Sequence, residues 1–195
     1  MIDLTDPLSD HLAQILEVLA VYAASNPLAT NDDLIAVSAG GGEFVLDYCC
    51  PGVAWVRPIT TYPTTNFPNP IPGEIRCPPP GWAATIELGI ARCVTALPDS
   101  AGNLPEPEAV AHDASVANYD RSAIIQAAIC GIAPLYDSQV ALDQWTPLET
   151  QGGCMGSTMN VTIPYCYPCD PELDDEEFSG FGLSPFGTSE FGGTS

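Results

Sequence analysis

Leu8, Leu12, Ile15, Leu16, Leu19 and Tyr22 recur three and four residues apart, a spacing that gathers them on one face of an α-helix. Thr5-Asp6-Pro7 supplies the start, with side-chain acceptors followed by a proline near the first helical position, and Asn26-Pro27 supplies the stop. The pattern then changes. Residues 34–38 and 43–49 read as two short strands around Gly40-Gly41-Gly42, and 53–61 as a longer one after the turn at Pro51-Gly52. Between Trp82 and Ala96 the alternation is clearest: Thr85, Glu87, Gly89 and Ala91 interleave with Ile86, Leu88, Ile90 and Arg92. We expect a central strand there, with Ile86, Leu88 and Ile90 facing the core. A second helix is expected from Pro107 to Cys130, closed by Gly131, with a packing stripe of Val116, Tyr119, Ala123, Ala127 and Cys130. Strands over 140–148 and 157–163, joined through Gln151-Gly152-Gly153, complete the pattern.

The order is therefore helix, strands, helix, strands, with the strands joined by tight turns. That order predicts an α+β domain in which two main helices cover an antiparallel sheet, with the second helix on one face of it. Residues 63–80 carry seven prolines and no periodicity, which predicts a long loop or arm, and 98–107 reads as a second such loop. The folded domain is expected to span 1–165. Residues 166–195 are a different material: an acidic run containing Asp174, Asp175, Glu176 and Glu177, then phenylalanines in a Gly/Ser background. Phe181, Phe186 and Phe191 stand at a period of five, with Phe178 just before them. Such a segment buries too little surface alone to offset its ordering entropy, so we read the four phenylalanines as anchors for docking onto a neighbour.

Charge changes the picture most. The 195 residues include no lysine, and four arginines stand against 25 acidic residues, for a formal net charge of −21. Proteins that hold nucleic acid neutralise phosphates with Lys and Arg, so tight nucleic-acid binding is not expected. The mean field also repels anionic membrane surfaces. No apolar run approaches the ~20 residues of a membrane helix. The first residues carry no basic n-region, so folding in a cytoplasm is expected. The eight cysteines are then expected to be reduced and mostly buried thiols.

Candidate chemistry is thin. Cys166 and Cys169 have CxxC spacing and Cys49-Cys50 are adjacent, but no second CxxC or spaced His pair completes a zinc motif. We therefore expect no metal and no cofactor. Gly40-Gly41-Gly42 precedes a predicted strand and Glu43 rather than a helix and a lysine, so it reads as a hairpin turn and not a phosphate cradle. His112-Asp113 reads as a solvated helix start. No G-x-S-x-G or H-E-x-x-H occurs, and no catalytic residues are assigned. The chain is not expected to be an enzyme.

Two regions, 53–97 and 139–163, resemble a family of virion neck proteins from tailed phages of actinobacteria. The first holds Val53-Ala-Trp-Val-Arg-Pro-Ile-Thr-Thr-Tyr-Pro-Thr-Thr-Asn-Phe-Pro68 and Ala83-Ala-Thr-Ile-Glu-Leu-Gly-Ile-Ala-Arg-Cys93. The second holds Asp143-Gln-Trp-Thr-Pro-Leu148, Gln151-Gly-Gly-Cys-Met-Gly156 and Asn160-Val-Thr-Ile163. With the Gly102-Asn103 loop and the long helix between them, the resemblance spans about two thirds of the chain. The element order is also similar to tail terminators, small α/β proteins that form a ring, typically a hexamer, on the tail tube.

The resemblance implies a structural subunit of the phage tail or neck, located in the virion. It would join the tail tube protein to a head-side connector or stopper protein and let DNA pass. The acidic Phe-Gly tail after Pro164 departs from the compact terminator pattern, so an adjacent stopper or neck component is the alternative. Two readings from other classes stand beside it: a small zinc or redox module using Cys166 and Cys169, and a non-viral acidic adaptor whose tail recruits a partner.

Overall fold

The computed structural model describes residues 7–29, 34–38, 49–50, 52–72, 81–96, 102–151 and 153–165. Helix α1 (Pro7–Ala24) is followed by strands β1 (Ile35–Ser38), β2 (Val53–Pro63) and β3 (Trp82–Cys93). Helix α2 (Pro107–Gln126) runs into a π-helical segment, Ala127–Ile132, and a last short turn, α3 (Ala133–Leu135). Strands β4 (Ala141–Gln151) and β5 (Cys154–Tyr165) close the described chain. The class is α+β, and the strands form one five-stranded sheet in the order β1-β2-β3-β5-β4.

β3 is the central strand, as its alternation predicts. It pairs antiparallel with β2 through Val56↔Leu88 and Arg57↔Glu87, and with β5 through Ile86↔Val161 and Leu88↔Met159. Ile86, Leu88 and Ile90 are fully buried in the main core, while Thr85 and Glu87 on the other face are half-buried. The register is thus fixed by burial: a one-residue slip would put three large aliphatic side chains on the wrong side. At roughly 1.5–3 kcal/mol for each fully buried aliphatic side chain, that error is prohibitive.

Both helices cover the same face. α1 contributes Leu8, Leu12, Ile15 and Leu19, while Leu16 and Tyr22 pack at its margin. The α2 region contributes Ala123, Ile124, Ala127, Ala128 and Ile132 against Val161 and Ile163 of β5.

Three expectations need correction. The sheet is mixed, because β1 pairs parallel with β2 (Ile35↔Val53, Val37↔Trp55). Residues 39–52 separate the two strands, enough chain for the crossover that parallel pairing requires. Gly131 does not end the second helix but lies inside its π-helical segment. A Cβ there would overlap the Val18 side chain of α1, so this glycine permits close helix approach. The helical path ends later, where Asp137 (φ 51°) and Ser138 (φ 63°) turn left-handed and the Ser138 N–H reaches the Ala133 carbonyl at 2.8 Å. Finally, Val116, Ala123 and Ala127 are buried, but Tyr119 and Cys130 are exposed and Asp113, Asp120 and Ile124 face inward instead. The extra residue of the π-helical segment rotates everything beyond it, carrying Cys130 out and Ile132 in.

The proline-rich segment is partly ordered. Residues 64–72 fold back on β2: the Ile71 N–H donates to the Pro63 carbonyl, the Thr64 hydroxyl to the Asn69 carbonyl and the Tyr62 hydroxyl to the Pro68 carbonyl. The expected strand over 43–49 and the Gly40–Gly42 turn fall mainly outside the described residues. No helix among the described residues is long and apolar enough to cross a membrane.

Candidate functional site

The sheet face turned away from the helices carries a largely buried, hydrogen-bonded group of side chains. Its centre is Trp55. The register sets Trp55 opposite Gly89, where a Cβ would overlap the indole ring, so the absent side chain leaves the ring room to lie across β3. The indole N–H donates to Glu87 Oε1 at 2.9 Å. Arg57, opposite Glu87 in the ladder, grips the same carboxylate with two bonds, Nε to Oε1 at 2.7 Å and Nη2 to Oε2 at 3.0 Å. A bidentate, charge-assisted pair of this kind is fixed in orientation. Beyond it the Thr85 and Thr162 hydroxyls meet at 3.0 Å, and Ile59, Thr60 and Thr61 of β2 are exposed. With its acceptor sites taken by Trp55 and Arg57, Glu87 is arranged as a structural anion rather than a general base.

One end of this face is closed by cysteines. Cys49 and Cys154 form a disulfide, as do Cys50 and Cys93. Cys93 and Cys154 are ladder partners at the ends of β3 and β5, and the Cys49-Cys50 pair folds over them before β2 begins. Val53, Trp55 and Ala91 pack with them in a second, smaller core that Val37 and Leu148 flank. The expectation of reduced thiols is therefore corrected for these four. Sequence spacing gave no sign of the pairing, because the partners lie 105 and 43 residues apart and meet only once β3 and β5 are paired. Cys130 is a free, exposed thiol.

On the helix side sits a buried polar node that sequence reasoning missed. Arg92 continues the inward parity of Ile86, Leu88 and Ile90, and its guanidinium is buried against α2. Nε donates to Asp120 Oδ2 at 2.8 Å, and Nη2 donates to Asp120 Oδ1 at 3.0 Å and to the Ala23 carbonyl at 2.9 Å. Asn26 Nδ2 donates to Asp120 Oδ1 and to the Val116 carbonyl, pinning the end of α1 to α2. The signal was present in the alternation itself: an arginine at a core-parity position demands an acid across from it.

His112-Asp113 also differs from the solvated helix start expected. Asp113 is buried and accepts from the Thr95 N–H, the Thr95 hydroxyl and the Ala96 N–H at 3.0, 2.6 and 2.8 Å. Burial pushes its carboxyl up, but those hydrogen bonds outweigh it and hold the pKa below the ordinary 3.8. His112 is exposed, its Nδ1 3.7 Å from Asp113 Oδ1. His11 Nδ1 shares a 2.9 Å hydrogen bond with the Tyr136 hydroxyl, whose pKa burial raises to about 12.

The anchors Phe178, Phe181, Phe186 and Phe191, the acids Asp174, Asp175, Glu176 and Glu177, and the Cys166/Cys169 pair lie outside the described residues. No protein-family model matches the chain, and no curated protein matches it.

Proposed function

We propose that the protein is a structural virion subunit of a tailed phage. It forms the tail-terminator ring that joins the tail tube to the head-side connector while DNA passes through the lumen. The adjacent stopper or neck position is the runner-up within the same class. Support comes from the neck-protein resemblance in β2, β3, β4 and β5 and from the α+β order of the elements.

The observation that carries the DNA-passage part is the state of the cations. There is no lysine in the chain, and the three arginines among the described residues are all engaged. Arg57 is held by Glu87, Arg92 is buried on Asp120, and the Arg121 guanidinium stacks 5.0 Å from the Trp145 ring centroid. A wall built this way offers phosphates repulsion and no grip. The Trp55–Arg57–Glu87 group on the other sheet face is largely buried and fixed, and beyond it Ile59, Thr60 and Thr61 of β2 are the exposed side chains that subunit or ring contacts could use.

Two measurements test the reading. Native mass spectrometry with negative-stain imaging of the full chain should give one closed oligomer of discrete copy number. A titration against double-stranded DNA at low salt, where electrostatic binding is strongest, should show no more affinity than an inert acidic protein. A monomer at every concentration and with every neck partner, or micromolar DNA binding, would overturn the proposal. Capture of the tail tube protein identifies the terminator; capture of the head-side connector alone identifies the stopper.

A further inference from the structure

We propose that Cys49, Cys50, Cys93 and Cys154 form a four-thiolate site for a single zinc ion, and that the two disulfides are the oxidised, metal-free form of that site. The inference rests on cysteine geometry alone and is independent of the proposed virion role.

Two separate disulfides need no proximity to each other, yet here three of the four sulfurs share one cluster and the fourth is bonded to a member of it. The Sγ atoms of Cys49, Cys50 and Cys93 all lie within 4.8 Å of one another, and Cys154 Sγ is bonded to that of Cys49. A tetrahedral ion with Zn–S bonds of about 2.3 Å has sulfur–sulfur edges of about 3.8 Å, a spacing that the first three sulfurs already approach and that Cys154 would join by side-chain rotation once its bond to Cys49 is reduced. The backbone is placed for it: Cα–Cα is 5.8 Å for Cys49/Cys154 and 5.1 Å for Cys50/Cys93. Three segments that are remote in sequence supply the ligands. Two of them, the end of β3 and the start of β5, are locked by ladder pairing. Cys49 and Cys154 are buried and Cys50 and Cys93 are half-buried, so the site is closed, in the manner of structural rather than catalytic zinc.

The chemistry balances in both directions. Binding converts four thiols and Zn²⁺ to a tetrathiolate complex and releases four protons. A low-molecular-weight disulfide, such as oxidised glutathione, discharges the site by oxidising it. Two equivalents accept four electrons, the four thiolates become the two protein disulfides, four protons are taken up by the released glutathione thiolates, and Zn²⁺ leaves.

The test uses the full chain, reduced and handled without oxygen, with Cys77, Cys130, Cys166 and Cys169 replaced by Ser to leave these four thiols. Titration with Co²⁺ should give thiolate-to-cobalt charge-transfer and tetrahedral d–d bands that saturate at one ion per chain, and Zn²⁺ should abolish them stoichiometrically. Oxidised glutathione should release the zinc with loss of four thiols per ion. Cys93→Ser should weaken zinc binding by at least tenfold. Should that variant fail to fold, native mass spectrometry of the reduced, otherwise unaltered protein replaces it, counting bound zinc against thiols protected from alkylation. Absence of stoichiometric metal in the reduced, folded protein overturns the proposal. So do cobalt bands that persist unchanged in Cys93→Ser, or protection that falls on cysteines other than these four.

Discussion

A guanidinium enclosed between a sheet and a helix must find its counter-charge at once, and Arg92 finds it in Asp120, with Asn26 and the Ala23 carbonyl completing the cage. Breaking one partner costs more than the pair is worth, because the survivor stays buried and charged. Asp120→Ala is therefore expected to lose about 3–5 kcal/mol of stability in urea unfolding. The double variant Arg92→Met/Asp120→Leu should recover much of that loss, and equal destabilisation by both would remove the argument. Asp113 permits a test by pH. Its folded pKa is depressed, so its contribution is fully present above the unfolded value near 3.8 and is lost as pH falls through the lower folded value. Acid titration of stability should thus steepen below about pH 4 in the native protein and flatten there in Asp113→Asn. The spacing of Asp113, Val116, Asp120, Ala123 and Ile124 is as regular as the stripe read from hydrophobicity, but two of its members are acids. A reading that admits only apolar residues to a core face passes over them.

At the scale of elements, legibility followed locality. The alternation of β3 and the stripe of α1 are properties of neighbouring residues, and the structure keeps both. The parallel partnering of β1, the π-helical segment after α2 and the cysteine pairing depend on chain brought together from far away. Four residues of strand carry no information about direction, and eight cysteines admit 105 full pairings. Gly89 lies between these cases: a glycine inside a strand signals a close approach, but not of what. The structure identifies Trp55. Gly89→Ala should drive the indole off the strand, cost about 1–3 kcal/mol by overpacking and shift the tryptophan emission as the bond to Glu87 breaks. An unaltered spectrum and melting temperature would mean that Trp55 is not held where the register places it. β4 also shows what local pattern omits. Its side chains are largely exposed on both faces, and register irregularities, Pro147, Asp143 and Glu149 interrupt the outer edge. These features discourage indiscriminate strand addition along this edge.

The whole molecule joins a domain rich in paired strands to thirty residues, 166–195, of acidic and Phe-Gly sequence outside the described part. We propose a docking role for them on composition: Asp174 to Glu177 would keep the segment hydrated, while Phe178, Phe181, Phe186 and Phe191 are spaced by glycines that would let each seek its own pocket. A phenylalanine that finds one gains roughly 1.5–3 kcal/mol, from which the ordering of its linker must be subtracted. Several weak anchors on one string also raise one another's effective concentration, so the segment can bind well although no single contact does. Truncation after Cys169 removes the anchors and leaves every residue of the core in place. The truncated protein is expected to melt at the same temperature as the full chain, because none of the described packing involves the deleted residues. Its capture by the tail tube protein or the head-side connector should fall by at least tenfold, and particles assembled with it should shed tails. Normal capture and intact particles would leave the segment as an acidic solubiliser and remove the docking role. A lowered melting temperature would show instead that the tail packs on its own domain.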